Sequence, residues 1–190
     1  GGVSDIHLKA GLPPMFRLDG ALAPLRDAER MVPEQLQKIA SGMMNSVQRE
    51  HFDSNREIDL AYGVSGLGRF RVNIFQQRGS IGIVLRVIPF GVKSMEELHL
   101  PRIVETISRE NRGLVLVTGT TGSGKSTTLA SMLERINSER TCHIMTIEDP
   151  IEFLIRDNRS IVNQREIGVD THSFSAALRS ALRQDPDVVL

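Results

Sequence analysis

The chain has 190 residues, 40% of them apolar and 24% charged, and its 23 Lys and Arg are balanced by 23 Asp and Glu. Such a chain can bury a core, and its zero formal charge excludes a global field that would draw it to nucleic acid or an anionic membrane surface. The single cysteine, Cys142, excludes an internal disulfide framework and a cysteine-based zinc site within this stretch. No run approaches the ~18 apolar residues of a membrane-spanning helix, since the longest, Ile81 to Phe90, is interrupted by Arg86.

In chain order, short extended runs are predicted at Val3 to Leu8 and Met15 to Leu18, then at Glu57 to Tyr62, Arg69 to Phe75 and Ile81 to Ile88. Turn residues separate them: Gly11 with Pro13-Pro14, Asp19-Gly20, and Ser65-Gly66 with Gly68. Between the second and third runs, Leu36, Ile39, Ala40, Met43, Met44 and Val47 recur at helical spacing and predict one helix with a single buried stripe. Pro33 sits where the first helical turn tolerates proline. The segment from Pro89 to Arg112 reads as a bridge holding a short helix at Ile103, Val104 and Ile107.

The rhythm then changes. Leu114 to Thr118 predicts a strand, a helix follows with Leu129, Met132, Leu133 and Ile136 on one face, and Cys142 to Ile147 predicts a second strand. This is the βαβ order of a parallel sheet. Phe174, Ala177, Leu178, Ala181 and Leu182 mark a last amphipathic helix. The expected class is therefore α/β, with residues 1–92 as an α+β domain, 93–112 as a linker and 113–190 as a nucleotide-binding domain. The chain opens on Gly1-Gly2 and closes on Asp187-Val188-Val189-Leu190, which reads as a strand just beginning. A fragment is expected.

The sharpest signal lies between the strand and the helix. Gly119, Thr120, Thr121, Gly122, Ser123, Gly124, Lys125 and Ser126 match the phosphate-loop pattern G-x-x-x-x-G-K-[ST] in full. Glycines let successive main-chain N–H groups turn toward phosphate oxygens, and the helix that follows adds the positive end of its dipole. Lys125 then reaches the β- and γ-phosphates of ATP, and the Ser126 hydroxyl is the expected ligand of Mg²⁺. Thr127 completes the candidate nucleotide-binding set.

Hydrolysis needs more: a group to orient or deprotonate water, and positive charge for the transferring phosphoryl. The strand at Cys142 to Ile147 runs into Glu148-Asp149-Pro150, with Glu152 beyond. Strand carboxyl ends carry the ligands of parallel sheets, so these acids belong either to the site or to a solvated strand end. In Arg69-Phe70-Arg71-Val72-Asn73-Ile74, alternation sends Arg69 and Arg71 away from the apolar face. Arg86 shares a strand face with Val84 and Ile88. Both Arg71 and Arg86 fit an internal salt bridge or solvated face as well as a functional role. The five histidines show no metal-ligand spacing.

Ser4-Asp5-Ile6-His7, Gly11-Leu12-Pro13-Pro14-Met15, Arg17-Leu18-Asp19-Gly20, Gly68 to Asn73, Arg112 to Thr118, the phosphate loop, Thr146 to Phe153, Val162 to Glu166, and Ala177-Leu178-Arg179 through Asp185-Pro186-Asp187 form a set spread over the whole chain. On these segments it resembles the type II/IV secretion and pilus motor ATPases, and most closely their pilus-retraction branch. The resemblance implies a PAS-like N-terminal domain followed by a truncated RecA-like core, a homohexameric ring, and ATP hydrolysis that powers type IV pilus retraction and twitching motility. It places nucleotide-reaching arginines on Arg71 and Arg86, and the acidic box on Glu148 to Glu152. Glu152 is the first candidate for water activation or metal-linked chemistry and Glu148 the second. It further implies a cytoplasmic protein peripheral to the inner membrane that works on a pilus platform protein there, without nucleic acid or direct membrane insertion. The family's Walker B glutamate and histidine box would follow Leu190, so the fragment alone is expected to hydrolyse little. Rival readings are an accessory retraction ATPase, a pilus-assembly or type II secretion ATPase, a nucleotide-binding switch without turnover, and a small-molecule kinase. The Gly11-Leu12-Pro13-Pro14 loop favours the retraction type.

Overall fold

The computed structural model describes residues 2–190 and divides into two compact units, Gly1–Ile88 and Pro89–Leu190. The first unit is a six-stranded antiparallel sheet with two helices. Its strands are β1 (Val3–Lys9), β2 (Met15–Leu18), β3 (Ala21–Pro24), β4 (Glu57–Val64), β5 (Gly68–Gln77) and β6 (Ser80–Ile88), in the order β3-β2-β1-β6-β5-β4. Two tight hairpins set much of the register. Asp19-Gly20 joins β2 to β3 and Arg78-Gly79 joins β5 to β6, both pairs at positive φ as the twist of a two-residue turn requires.

Alternation then builds the core. Ile58, Leu60, Phe70, Val72, Ile74, Ile83 and Leu85 point to one face, where they meet Leu36 and Ala40 of α1 (Pro33–Met43) and Phe52 of α2 (Ser46–Asn55). Gly82 lies opposite Phe75 across the ladder, and a Cβ there would come within 2.8 Å of the phenyl ring, so the glycine lets that ring lie flat on the strand.

The single helix expected through Val47 is two helices. Met44 is extended, and Asn45 opens α2 with a reciprocal cap: its side chain accepts from the Gln48 N–H at 2.9 Å while Gln48 Oε1 accepts from the Asn45 N–H at 3.0 Å. The capping box restarts the helix and rotates Val47 out of the stripe to 72% exposure.

The second unit is built around a three-stranded parallel sheet, β8-β7-β9, with β7 (His143–Glu148) between β8 (Ile161–Glu166) and β9 (Val188–Val189). Its helices are α3 (Arg102–Ser108), α4 (Lys125–Glu139) and α5 (Phe174–Ala181). Ile144 packs with Leu133 and Ile136 of α4, whereas Met145 and Ile147 pack with Ala177 and Ala181 of α5, so the helices cover opposite faces of β7. Arg135 on α4 pairs with Glu105 on α3 and with Glu96, tying these elements together. Asn137, fully buried on α4, donates to the Arg156 carbonyl at 2.8 Å and accepts from Asn158 at 3.2 Å, which satisfies the loop leading into β8.

Two expectations fail in this unit. Leu114 to Thr118 forms no strand: it pairs with none of the described residues, and Leu114 and Leu116 are 84% and 75% exposed. Its composition suits a buried strand, but a strand exists only against a hydrogen-bonded neighbour, and among the described residues this segment has none. The expected stripe of α5 also narrows to Ala177 and Ala181, with Phe174, Leu178 and Leu182 exposed. No helix among the described residues is long and apolar enough to cross a membrane.

Candidate nucleotide site

The loop at residues 119–124 delivers the chain into α4 through glycines that no other residue type could replace without strain. Gly119, Gly122 and Gly124 have φ of 151°, 80° and 91°. At Gly119 a Cβ would also come within 2.6 Å of the Ser123 hydroxyl. Gly124 is the N-cap of α4 and supplies no capping side chain. Among the described residues, the N–H groups of Gly122, Gly124, Lys125 and Ser126 make no main-chain hydrogen bond beyond the loop's own turn, in which Ser123 donates to Thr120. Open donors at the positive end of a helix 15 residues long are suited to an anion. Lys125 Nζ curls over the loop, donating to the Gly119 and Thr120 carbonyls at 3.0 and 2.9 Å. A phosphate oxygen, being charged, is a stronger acceptor than either carbonyl. Thr120, Thr121 and Ser123 lie in the exposed loop, and Ser126 and Thr127 in the first turn of α4.

The acids lie beside the first turns of that helix. Glu148 belongs to the β7 face of Ile144 and Thr146, on which α4 packs. Glu148, Asp149 and Glu152 line one cavity of about 260 Å³ together with Ser126, Leu129 and Gln164. The two candidate acids differ. Glu148 Oε1 accepts from the Thr146 hydroxyl at 2.6 Å and from Gln164 Nε2 at 3.2 Å, whereas Glu152 is exposed and accepts no hydrogen bond among the described residues. Glu166, buried on β8, accepts from the Ile151 N–H at 3.1 Å and so holds the turn between the two acids. The chemistry fits Mg²⁺ with a nucleotide: hydroxyl and carboxylate oxygens are the ligands that hard cation takes.

Arg71 and Arg86 are brought together in the first unit. They are direct cross-strand partners on β5 and β6, on the sheet face opposite the core, in a hollow of about 250 Å³ with Asp5, Asp59 and Asn73. Like charges placed opposite one another repel. Asp5 offsets this: nearly buried at 8% exposure, it accepts from Arg86 Nε at 3.0 Å and from the Ser4 hydroxyl at 2.8 Å, with Arg17 Nε at 3.8 Å. Burial works against its charged form, but the hydrogen bonds from Ser4 and Arg86 and the nearby positive charge outweigh it and hold the carboxyl below its ordinary range. Arg86 stays largely exposed, its side chain at 70%, and Arg71 has no ionic partner among the described residues.

Asp5, Thr146, Gln164 and Glu166 were not singled out by sequence reasoning. Gln164 and Glu166 lie on β8, which no clear alternation announces, and Asp5 acquires its role only through the pairing of β1 with β6 across 81 positions.

A glycine loop with open N–H donors opening a helix on a parallel α/β unit narrows the class, and the comparisons name the family. Residues 3–190 match the family described as Type II/IV secretion system protein, and the chain belongs to that family. It is 49% identical over 189 residues to the type IV pilus retraction ATPase PilT of Pseudomonas aeruginosa, covering 100% of this chain and 55% of that protein. It is 44% identical to the type IV pilus ATPase PilU of the same organism, covering 49% of that protein, and 46% identical over 177 residues to a twitching motility protein of Neisseria gonorrhoeae, covering 93% of this chain and 47% of that protein. A crystal structure of the pilus retraction motor PilT with bound ADP superposes with a TM-score of 0.88 at 50% identity, covering 99% of this chain and 55% of that one. The Legionella pneumophila ATPase DotB follows at 0.79 and 29% identity, covering 98% and 54%. The chain thus spans about half the length of the relatives it matches.

Proposed function

We propose that this chain is part of an ATP-hydrolysing, homohexameric motor that drives type IV pilus retraction and hence twitching motility. The observation that carries the reading is the uncapped start of α4 behind a glycine loop, with Ser126 and three acids around one cavity. Identity of 49% to a retraction ATPase, against 44% to PilU, supports the retraction branch. On this reading residues 1–92 are a PAS-like domain, 93–112 a linker and 113–190 part of a RecA-like core. The motor is cytoplasmic, peripheral to the inner membrane, and acts on a pilus platform protein there.

Chemically, the loop amides and Lys125 would bind and orient a nucleotide's phosphates, and Ser126 would hold a magnesium ion whose charge would offset theirs. Glu152, whose carboxylate is unencumbered, orients and deprotonates the attacking water; Glu148, already bonded through one oxygen, is the second candidate. Arg71 and Arg86 present exposed guanidinium groups suited to γ-phosphate oxygens, and loss of that phosphate releases their hold, which is a population shift driven by differential contacts.

Phosphate release from the full-length protein tests the reading, with Arg86→Ala as the probe of the arginine role. Turnover is expected to fall by roughly 10²-fold or more, and a strain carrying the variant should lose twitching. Unchanged turnover sinks the arginine role. Nucleotide binding without any phosphate release would favour the switch reading, and a phosphorylated acceptor the kinase.

A further inference from the structure

Gln164 makes more directed hydrogen bonds than any other side chain around the cavity, and neither the family motif nor the proposed chemistry assigns it a task. Its amide is used at both ends. Oε1 accepts from the Ile155 N–H at 2.9 Å, while Nε2 donates to the Phe153 carbonyl at 2.8 Å and to Glu148 Oε1 at 3.2 Å. Parallel pairing of β7 with β8 sets Gln164 opposite Thr146, two residues before Glu148, so its side chain reaches along the face that carries Glu148.

Two consequences follow from this geometry. Glu148 receives both its donors, Thr146 and Gln164, on one oxygen, leaving Oε2 without a donor among the described residues at the cavity wall. The same amide clamps the backbone at Phe153 and Ile155, directly after Glu152. With Glu166 holding Ile151 from the other side, the acidic turn is fixed at both ends.

We propose that Gln164 is a positioning residue for hydrolysis: it orients Glu148 and anchors the turn bearing Glu152, so that both carboxylates face the first turns of α4 around Ser126. The inference rests on the ATPase reading and deepens it. Gln164 itself touches no reacting atom. Its contribution is to keep two flexible acids from sampling orientations in which neither can meet a water molecule at the γ-phosphate.

The test uses the full-length protein and two substitutions. Gln164→Glu keeps the acceptor for Ile155 and removes both donated bonds; Gln164→Leu removes all three. For Gln164→Glu, kcat should fall about tenfold while ADP affinity and Tm stay near wild type, because the phosphate loop is untouched. Gln164→Leu should lose at least as much. In a Glu148→Gln background, Gln164→Glu should lower kcat by much less than it does alone, as expected when one residue acts through the other. The inference is overturned by wild-type kcat in Gln164→Glu, by an equal loss in both backgrounds, or by a loss that tracks ADP affinity or Tm instead of kcat. Failure of the wild-type protein to bind ADP or release phosphate would instead sink the ATPase reading itself. Should Glu148→Gln turn over normally, the route through Glu148 is overturned while nucleotide binding stands.

Discussion

The two units use similar apolar material to different ends. In the first, residues from Met31 to Leu85 join in one core cluster that takes in both helices and the inner face of the sheet. In the second, β7 divides the core into two small clusters, and the apolar run at 114–118 lies uncovered beside the phosphate loop. Arg69 to Phe75 and Leu114 to Thr118 both read as strands, yet only the former lies between two partners. Strand formation is decided by neighbours as much as by composition. The unit with the looser core holds the glycine loop whose open N–H donors stay unpaired by main-chain acceptors among the described residues.

If the second unit devotes its sequence to a site rather than to a core, its most damaging substitution should leave stability alone. Lys125→Ala in the full-length protein is expected to reduce phosphate release by on the order of 10²–10³-fold with an unchanged Tm; substantial residual turnover would break the contrast. Next in size is a change in the closed core. Leu36, with no exposed surface, should cost about 2–5 kcal/mol as Leu36→Ala by urea unfolding.

A smaller effect concerns Asp5. Because its folded-state pKa lies below the unfolded one, its stabilising share is complete above about pH 4 and is lost as the pH falls through the folded value. Unfolding free energy measured between pH 6 and 3 should therefore drop more steeply for wild type than for Asp5→Asn, and parallel curves would show that the carboxylate is not held. Smallest of all, Leu116→Ser in the 190-residue chain should change stability by less than about 0.5 kcal/mol, since the side chain is already 75% exposed. A loss near that of Leu36→Ala would mean that the segment is covered in solution.

Much of this was legible in the sequence because it is local. The phosphate loop is a run of consecutive residues, and β2 begins and ends at Met15 and Leu18, the short extended run expected between its flanking turns. The break between α1 and α2 was also written locally, as Asn45 followed by Gln48, but the apolar stripe masked the cap. Asp19-Gly20 announced a hairpin whose returning strand, Ala21–Pro24, is too short and too exposed to show a pattern. What no window could reveal is the pairing of distant positions. Asp5 meets Arg86, and Gln164 meets Glu148, only after strands from separate parts of the chain align.

The place of β1 in its sheet has a consequence for how the molecule is made. Of the six strands of the first unit, the earliest in sequence is not at an edge: it joins the β2-β3 hairpin to the β6-β5-β4 meander, with Asp5 facing Arg86. Until β6 has been made, β1 can pair only with β2, because its other neighbour lies about eighty residues further along the chain. Removing β1 would therefore part the sheet down its middle, where the loss of an outer strand such as β3 would merely trim it.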